Sequence, residues 1–171
     1  MRDGKGAVWV WVLVAGVLLL CTSKMMMIGY VGPPPTKAPE IISNLRTLKT
    51  AMLYMYADFV DSVDQQGRID GQVLEDFIVS DEGQGKLKGY MQSDALTIKA
   101  ADAQEGEYLV ASDQESGRWF IGYRLEGKTD KDKRTRRELA RRAQSLGLLM
   151  YAKKESPLYA ENSGYVWWLV R

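Results

Sequence analysis

The sequence predicts an α+β domain carried behind an apolar N-terminal helix. Three observations lead there. Residues 7–31 are apolar with a single lysine, residues 39–63 repeat apolar side chains at helical spacing, and from about residue 95 short β-forming runs take over. An additional helix before the last strand completes the expected order.

The chain opens MRDGKG and continues AVWVWVLVAGVLLL before Cys21 and Lys24. Fourteen apolar residues make a helix of about 21 Å, the length of a signal-peptide core, with Ser23 a fitting cleavage position. Extended to Val31, the helix reaches about 37 Å, long enough to cross a bilayer with Lys24 snorkelling to one interface. The anchor reading is adopted because MMMIGYVG would be an oddly apolar mature N-terminus. Leu20 before Cys21 speaks against a lipoprotein signal. Arg2 and Lys5 favour a cytoplasmic N-terminus, which puts the rest of the chain outside the inner membrane.

Gly32 and three successive prolines, Pro33 to Pro35, interrupt any helix, since each proline lacks an amide donor and disfavours helix before it. The expected divisions are therefore a basic leader-like segment at 1–6, an anchor at 7–31, a Pro-rich hinge at 32–38 and an extracytoplasmic domain at 39–171. Pro39 in a first turn and Glu40 at the positive end of the dipole open the next helix. Ile41, Leu45, Leu48, Met52, Tyr56, Phe59 and Val63 then form one apolar stripe, the packing face of a helix laid on a sheet.

Asp70 caps a short helix through Val73, Leu74, Phe77 and Ile78, and the glycine-rich DEGQGKLKG reads as loop. ALTIKA, EYLVAS and RWFIGYRLEG read as strands of an antiparallel sheet, with SDQESG as the hairpin turn and Trp119, Ile121, Tyr123 and Leu125 on one face. A helix from about Asp132 to Leu146 carries Leu139, Ala143 and Leu146 inward and stops at Gly147. The final YVWWLVR is apolar on both faces, as a buried strand is.

Composition narrows the chemistry. There is no histidine, which removes the commonest general base and metal ligand, and one cysteine, which removes an intramolecular disulfide. The acid pairs Asp61 with Asp64 and Glu75 with Asp76 are adjacent carboxylates of a solvated helix face, and neither a nucleophile elbow nor a phosphate loop is present. The expectation is a protein that is not an enzyme, uses no cofactor and takes no small-molecule substrate. Asp102, Glu105 and Glu107 are oxygen ligands close in sequence, without the spacing of a calcium loop.

Charge is lopsided. Residues 81–115 hold eight acids against three lysines, net −5, whereas residues 124–142 hold nine basic residues against four acids, net +5. Lys133, Arg134, Arg137, Arg141 and Arg142 thus offer an interaction face, either for the acidic region of a neighbouring subunit or, with Lys131 and Arg136, for nucleic-acid phosphates. The blander alternative is a solvated face on which Glu138 pairs with Arg134 and Arg142.

KAPEIISNLRTLKTAMLYMYADFVD, RWFIGYRL and the terminal VWWLVR resemble the long helix and sheet strands of bacterial type IV pilins and the pseudopilins of type II secretion. MRDGKG resembles their leader, which implies prepilin-peptidase cleavage after Gly6 and a mature chain starting at Ala7. The resemblance implies a pilin-like fold, a membrane anchor and partners that are other pilin or pseudopilin subunits. Where the family has phenylalanine first and glutamate fifth, this chain has Ala7 and Trp11, which is similar to the tip pseudopilins and implies weak or terminal placement in a filament. Three prolines replace the family's continuous helix with a hinge.

Overall fold

In the computed structural model the described residues are 35–62, 71–91, 96–99 and 104–171. The leader, the anchor segment, Gly6, Ala7 and residues 32–34 of the hinge lie outside them. Among the described residues no helix is long and apolar enough to cross a membrane.

The first described helix, α1 (Ala38–Ser62), has Pro39 and Glu40 in its opening turn. Its stripe is buried as expected at Ile41, Leu45, Leu48 and Met52, with Tyr56 half-buried against the same core. The buried face is wider than predicted, because Ala38, Ile42, Ala51 and Met55 are buried too. Two side-chain columns flank the predicted one because α1 has neighbours on both sides as well as beneath. The Phe59 side chain and Val63 lie outside the described residues.

Two short helices follow, α2 (Gly71–Val79) and α3 (Asp81–Met91). The second corrects the expectation of a loop. Ser80 caps it: its hydroxyl accepts from the Gly83 amide at 3.1 Å and donates to the Phe77 carbonyl at 2.7 Å. Asp81 and Glu82 occupy the first turn, and Gly83, Leu87 and Met91 recur every four residues on the buried side. Of the glycines that suggested a loop, Gly83 serves a tight crossing, since a Cβ on it would stand 1.9 Å from the Phe77 carbonyl oxygen, whereas Gly85 and Gly89 face open space.

The sheet comprises β1 (Ile98–Lys99), β2 (Tyr108–Asp113), β3 (Arg118–Arg124), β4 (Leu148–Leu149) and β5 (Tyr165–Leu169), in spatial order β1-β2-β3-β5-β4. Pairing is antiparallel across β2–β3, β3–β5 and β5–β4. The expectation of an antiparallel sheet fails at β1, which runs parallel to β2. The side-chain amide of Gln84 explains how so short a strand is held. It donates to the Ile98 carbonyl at 2.8 Å and accepts from the Ile98 amide at 3.3 Å, closing the outer side of β1.

Alternation along the strands puts Tyr108, Val110, Trp119, Ile121, Tyr123 and Val166 beneath α1. The opposite face carries a second cluster of Leu109, Phe120 and Trp167. Gly122 is obligatory there, because an added Cβ would lie 2.5 Å from the Trp167 ring. The segment after β4 crosses this face, with Ala152 packed on the cluster and the Lys154 amide donating to Asp113 at 3.1 Å. Thr36–Arg171 form one compact α+β unit.

Candidate interaction surface

The basic stretch singled out in the sequence folds as α4 (Asp130–Leu146), two residues longer at its start than predicted. Thr129 supplies the missing cap. Its hydroxyl accepts from the Asp132 amide at 3.1 Å, and its own amide donates back to the Asp132 carboxylate at 3.2 Å, a reciprocal capping box. Gly147 ends the helix in the left-handed conformation, φ 69°.

One side of α4 is locked into the domain. Asp132, Thr135, Leu139 and Ala143 are buried. Asp132 accepts from the Lys37 ammonium at 3.2 Å, and the Thr135 hydroxyl accepts from the Lys37 amide at 3.1 Å. The residue before α1 is therefore held by both its backbone and its side chain, two residues after the last proline.

The Thr129 hydroxyl, and after it the Lys37 ammonium, hold the Asp132 carboxyl below its ordinary 3.8, while the bond to Asp132 raises Lys37 above its ordinary 10.5. The depressed acid contributes stability that is full above pH 3.8 and lost as pH falls through the folded value. The raised base contributes stability that is full below pH 10.5 and lost as pH rises through its folded value. Denaturant titrations of the native chain and Asp132→Asn between pH 2 and 7 are expected to converge at the acid end and to differ by about 1–2 kcal/mol at neutrality. A constant gap would show that the carboxylate charge is irrelevant.

Arg136 belongs with the locked side. It donates from Nε and Nη2 to the Ser163 carbonyl at 3.0 and 2.5 Å, and from Nη1 to the Glu126 carbonyl at 3.0 Å. That guanidinium joins α4 to the turns before and after it. Its earlier grouping with the phosphate-binding cations is thus corrected, for its donors are already committed to carbonyls.

The outward side carries the predicted residues. Lys133, Arg134, Arg137, Arg141 and Arg142 are all exposed. Arg134, Arg137 and Arg141 follow one another at steps of three and four, a single row about 10 Å long. The expected pairing of Glu138 with Arg142 is present at 2.7 Å, but Glu138 turns its second oxygen to Arg141 at 3.9 Å rather than to Arg134. Lys133 faces Asp130 at 3.6 Å and Arg137 faces Glu161 at 3.5 Å. Arg134 has no ion-pair partner among the described residues. Exposed pairs of this kind contribute little and leave the cations available.

The acidic half of the predicted complementarity is dispersed. Asp94 and Asp102 lie outside the described residues. Glu82 pairs with Lys86, Glu105 with Lys128, and Glu107 accepts from the Gln104 amide at 2.6 Å. Asp113 is held below the ordinary aspartate range, first by the Ser116 hydroxyl and then by the Lys154 amide. Among the described acids of residues 81–115, Asp81 and Glu115 remain exposed without an ion pair. The calcium candidates fare similarly, because Lys128 bridges Glu105 at 3.3 Å and Glu126 at 2.6 Å, and Arg124 also pairs with Glu126. Among the described residues no three acidic or sulfur ligands gather to hold a metal ion. Glu75, one of the weighed carboxylates, instead accepts from the Ser112 amide and hydroxyl at 2.9 and 2.7 Å, tying α2 to β2.

No family model, curated protein or solved structure matches this chain.

Proposed function

We propose that the chain is a structural or assembly subunit, a minor-pilin- or pseudopilin-like component of a type IV filament or a type II secretion-type machine. In this reading it is anchored in the inner membrane by residues 7–31 and displays residues 39–171 outside. It is not an enzyme, and its partners are the membrane and other pilin or pseudopilin subunits, of its own or another kind. The observation that carries the reading is the arginine row on a helix whose opposite side is clamped to the start of α1 and to the turns around it. A rigidly mounted row of exposed cations is suited to docking, and packing against the antiparallel strands makes α1 a spine for it. With its own acids dispersed, the row meets acids brought by a partner.

Substituting Arg134, Arg137 and Arg141 together by glutamate is expected to abolish co-purification with partner subunits and leave the thermal midpoint within about 2 °C, because these side chains are exposed. Unchanged capture would overturn the reading.

A second reading is favoured by the same row: a pilin-fold module that does not polymerise and binds DNA through α4. It requires a gel shift at low ionic strength that weakens steeply with salt. A shift that is absent or insensitive to salt dismisses it.

A further inference from the structure

A separate surface lies on the flank of α1 that meets β5. Lys49, Leu53 and Tyr56 follow one another there at steps of four and three, so they share one strip of the helix. The Lys49 ammonium sits 5.4 Å from the centre of the Trp168 ring, and the Arg171 guanidinium 4.3 Å from the centre of Tyr56. Tyr56 in turn meets Trp119 edge-on at 4.9 Å. Between the two cations Leu53 is 40% exposed. Neither Lys49 nor Arg171 has a carboxylate at ion-pair distance among the described residues, and burial pulls the Lys49 ammonium below its ordinary 10.5. The strip is an exposed leucine between two cations set on aromatic rings, neither paired with a side-chain carboxylate among the described residues.

The loop after β4 carries the opposite pattern. Leu158 is 47% exposed, and Glu155 and Glu161, three residues to either side, are exposed carboxylates. Glu155 has no ion-pair partner among the described residues, and Glu161 has only the exposed contact to Arg137 at 3.5 Å. The ridge is held firmly. Leu158 bridges Leu149, the Met150 amide donates to the Pro157 carbonyl at 3.0 Å, and the buried Tyr159 donates its amide to Leu148 at 2.8 Å.

We infer that the Glu155–Leu158–Glu161 ridge of one copy docks on the Lys49–Leu53–Arg171 strip of a second copy. The inference rests on the assembly reading and gives it a specific self-contact. The two surfaces are different, so the contact is heterologous. A docked pair keeps a free strip on one copy and a free ridge on the other, and the association propagates as a row of subunits rather than closing as a symmetric pair. Apolar contact supplies the centre, while the flanking carboxylates supply charges opposite to those of Lys49 and Arg171.

The test uses the full-length chain with Cys21→Ser, carrying Leu53→Cys and Leu158→Cys together or singly, purified in detergent micelles and treated with a mild oxidant. The doubly substituted chain is expected to give a disulfide-linked ladder of dimers, trimers and higher species. Each singly substituted chain is expected to give at least about fivefold less cross-linked product. Lys49→Glu in the double-cysteine background should lower the ladder yield roughly fivefold, and adding Glu155→Lys should restore it. No ladder, a dimer from Leu53→Cys alone as abundant as the ladder, or a yield indifferent to Lys49→Glu would each overturn the contact. Thermal melts that match the parent chain ensure that a lost ladder reports the contact and not the fold. Partner capture that still depends on Arg134, Arg137 and Arg141 would leave the assembly reading standing when this contact fails.

Discussion

Gly83→Ala is expected to destabilise the domain by about 3 kcal/mol. The new methyl group would fall 1.9 Å from the Phe77 carbonyl oxygen and 2.8 Å from its carbon, and both atoms are backbone. A flexible side chain could swing away, but a backbone carbonyl moves only with α2, whose Ile78 is buried in the core and whose Glu75 is tied to β2. The same change at Gly85 is expected to act in the opposite direction. That position is exposed, helical and open, with nothing within 4 Å of an added Cβ, so alanine should stabilise α3 by about 0.5–1 kcal/mol. Urea unfolding of the two variants side by side checks this. Equal effects at the two sites would show that α2 and α3 do not cross as tightly as described.

Arg136→Leu is expected to cost about 3 kcal/mol, and Arg136→Lys at least half as much. The guanidinium satisfies two carbonyls at once, Glu126 before the helix and Ser163 on the way to β5, through a planar fork that a single ammonium cannot span. Gly127 makes room for it with φ 74°, and a Cβ there would lie 2.4 Å from Nη1. Hydrogen exchange should show the loss concentrated in residues 157–164, because Tyr159 and Ser163 are held through this arginine. A leucine variant of native stability would show that the carbonyls find other donors.

The sequence and the structure agree most closely where apolar periodicity met one packing partner. α1 was legible because its stripe covers a sheet, and β3 because Trp119, Ile121, Tyr123 and Leu125 alternate cleanly toward the core. α3 was not, since three of its eleven residues are glycine and the glycines suggested a loop. Ser80 followed by Asp81 and Glu82 was the available signal for its start, a cap with acids in the first turn. β1 is held by the reach of Gln84 from α3, which no local pattern encodes. Among the cations of α4, Arg136 resembles its neighbours in composition. Its spacing of four from Asp132 and three from Leu139 puts it at the edge of the buried side, which is where position rather than chemistry separates it from Arg134 and Arg137. The dispersal of the acids could not be read from a charge count, because pairings such as Glu105 with Lys128 join distant segments.

The central claim is that this domain is an anchored assembly subunit of pilin type. Fractionating the producing cells and determining the N-terminus of the mature chain tests it most directly. The account predicts a membrane-bound protein that begins at Ala7, cut after Gly6. A soluble chain beginning at Lys24, or a membrane-bound chain that retains Met1, would contradict it.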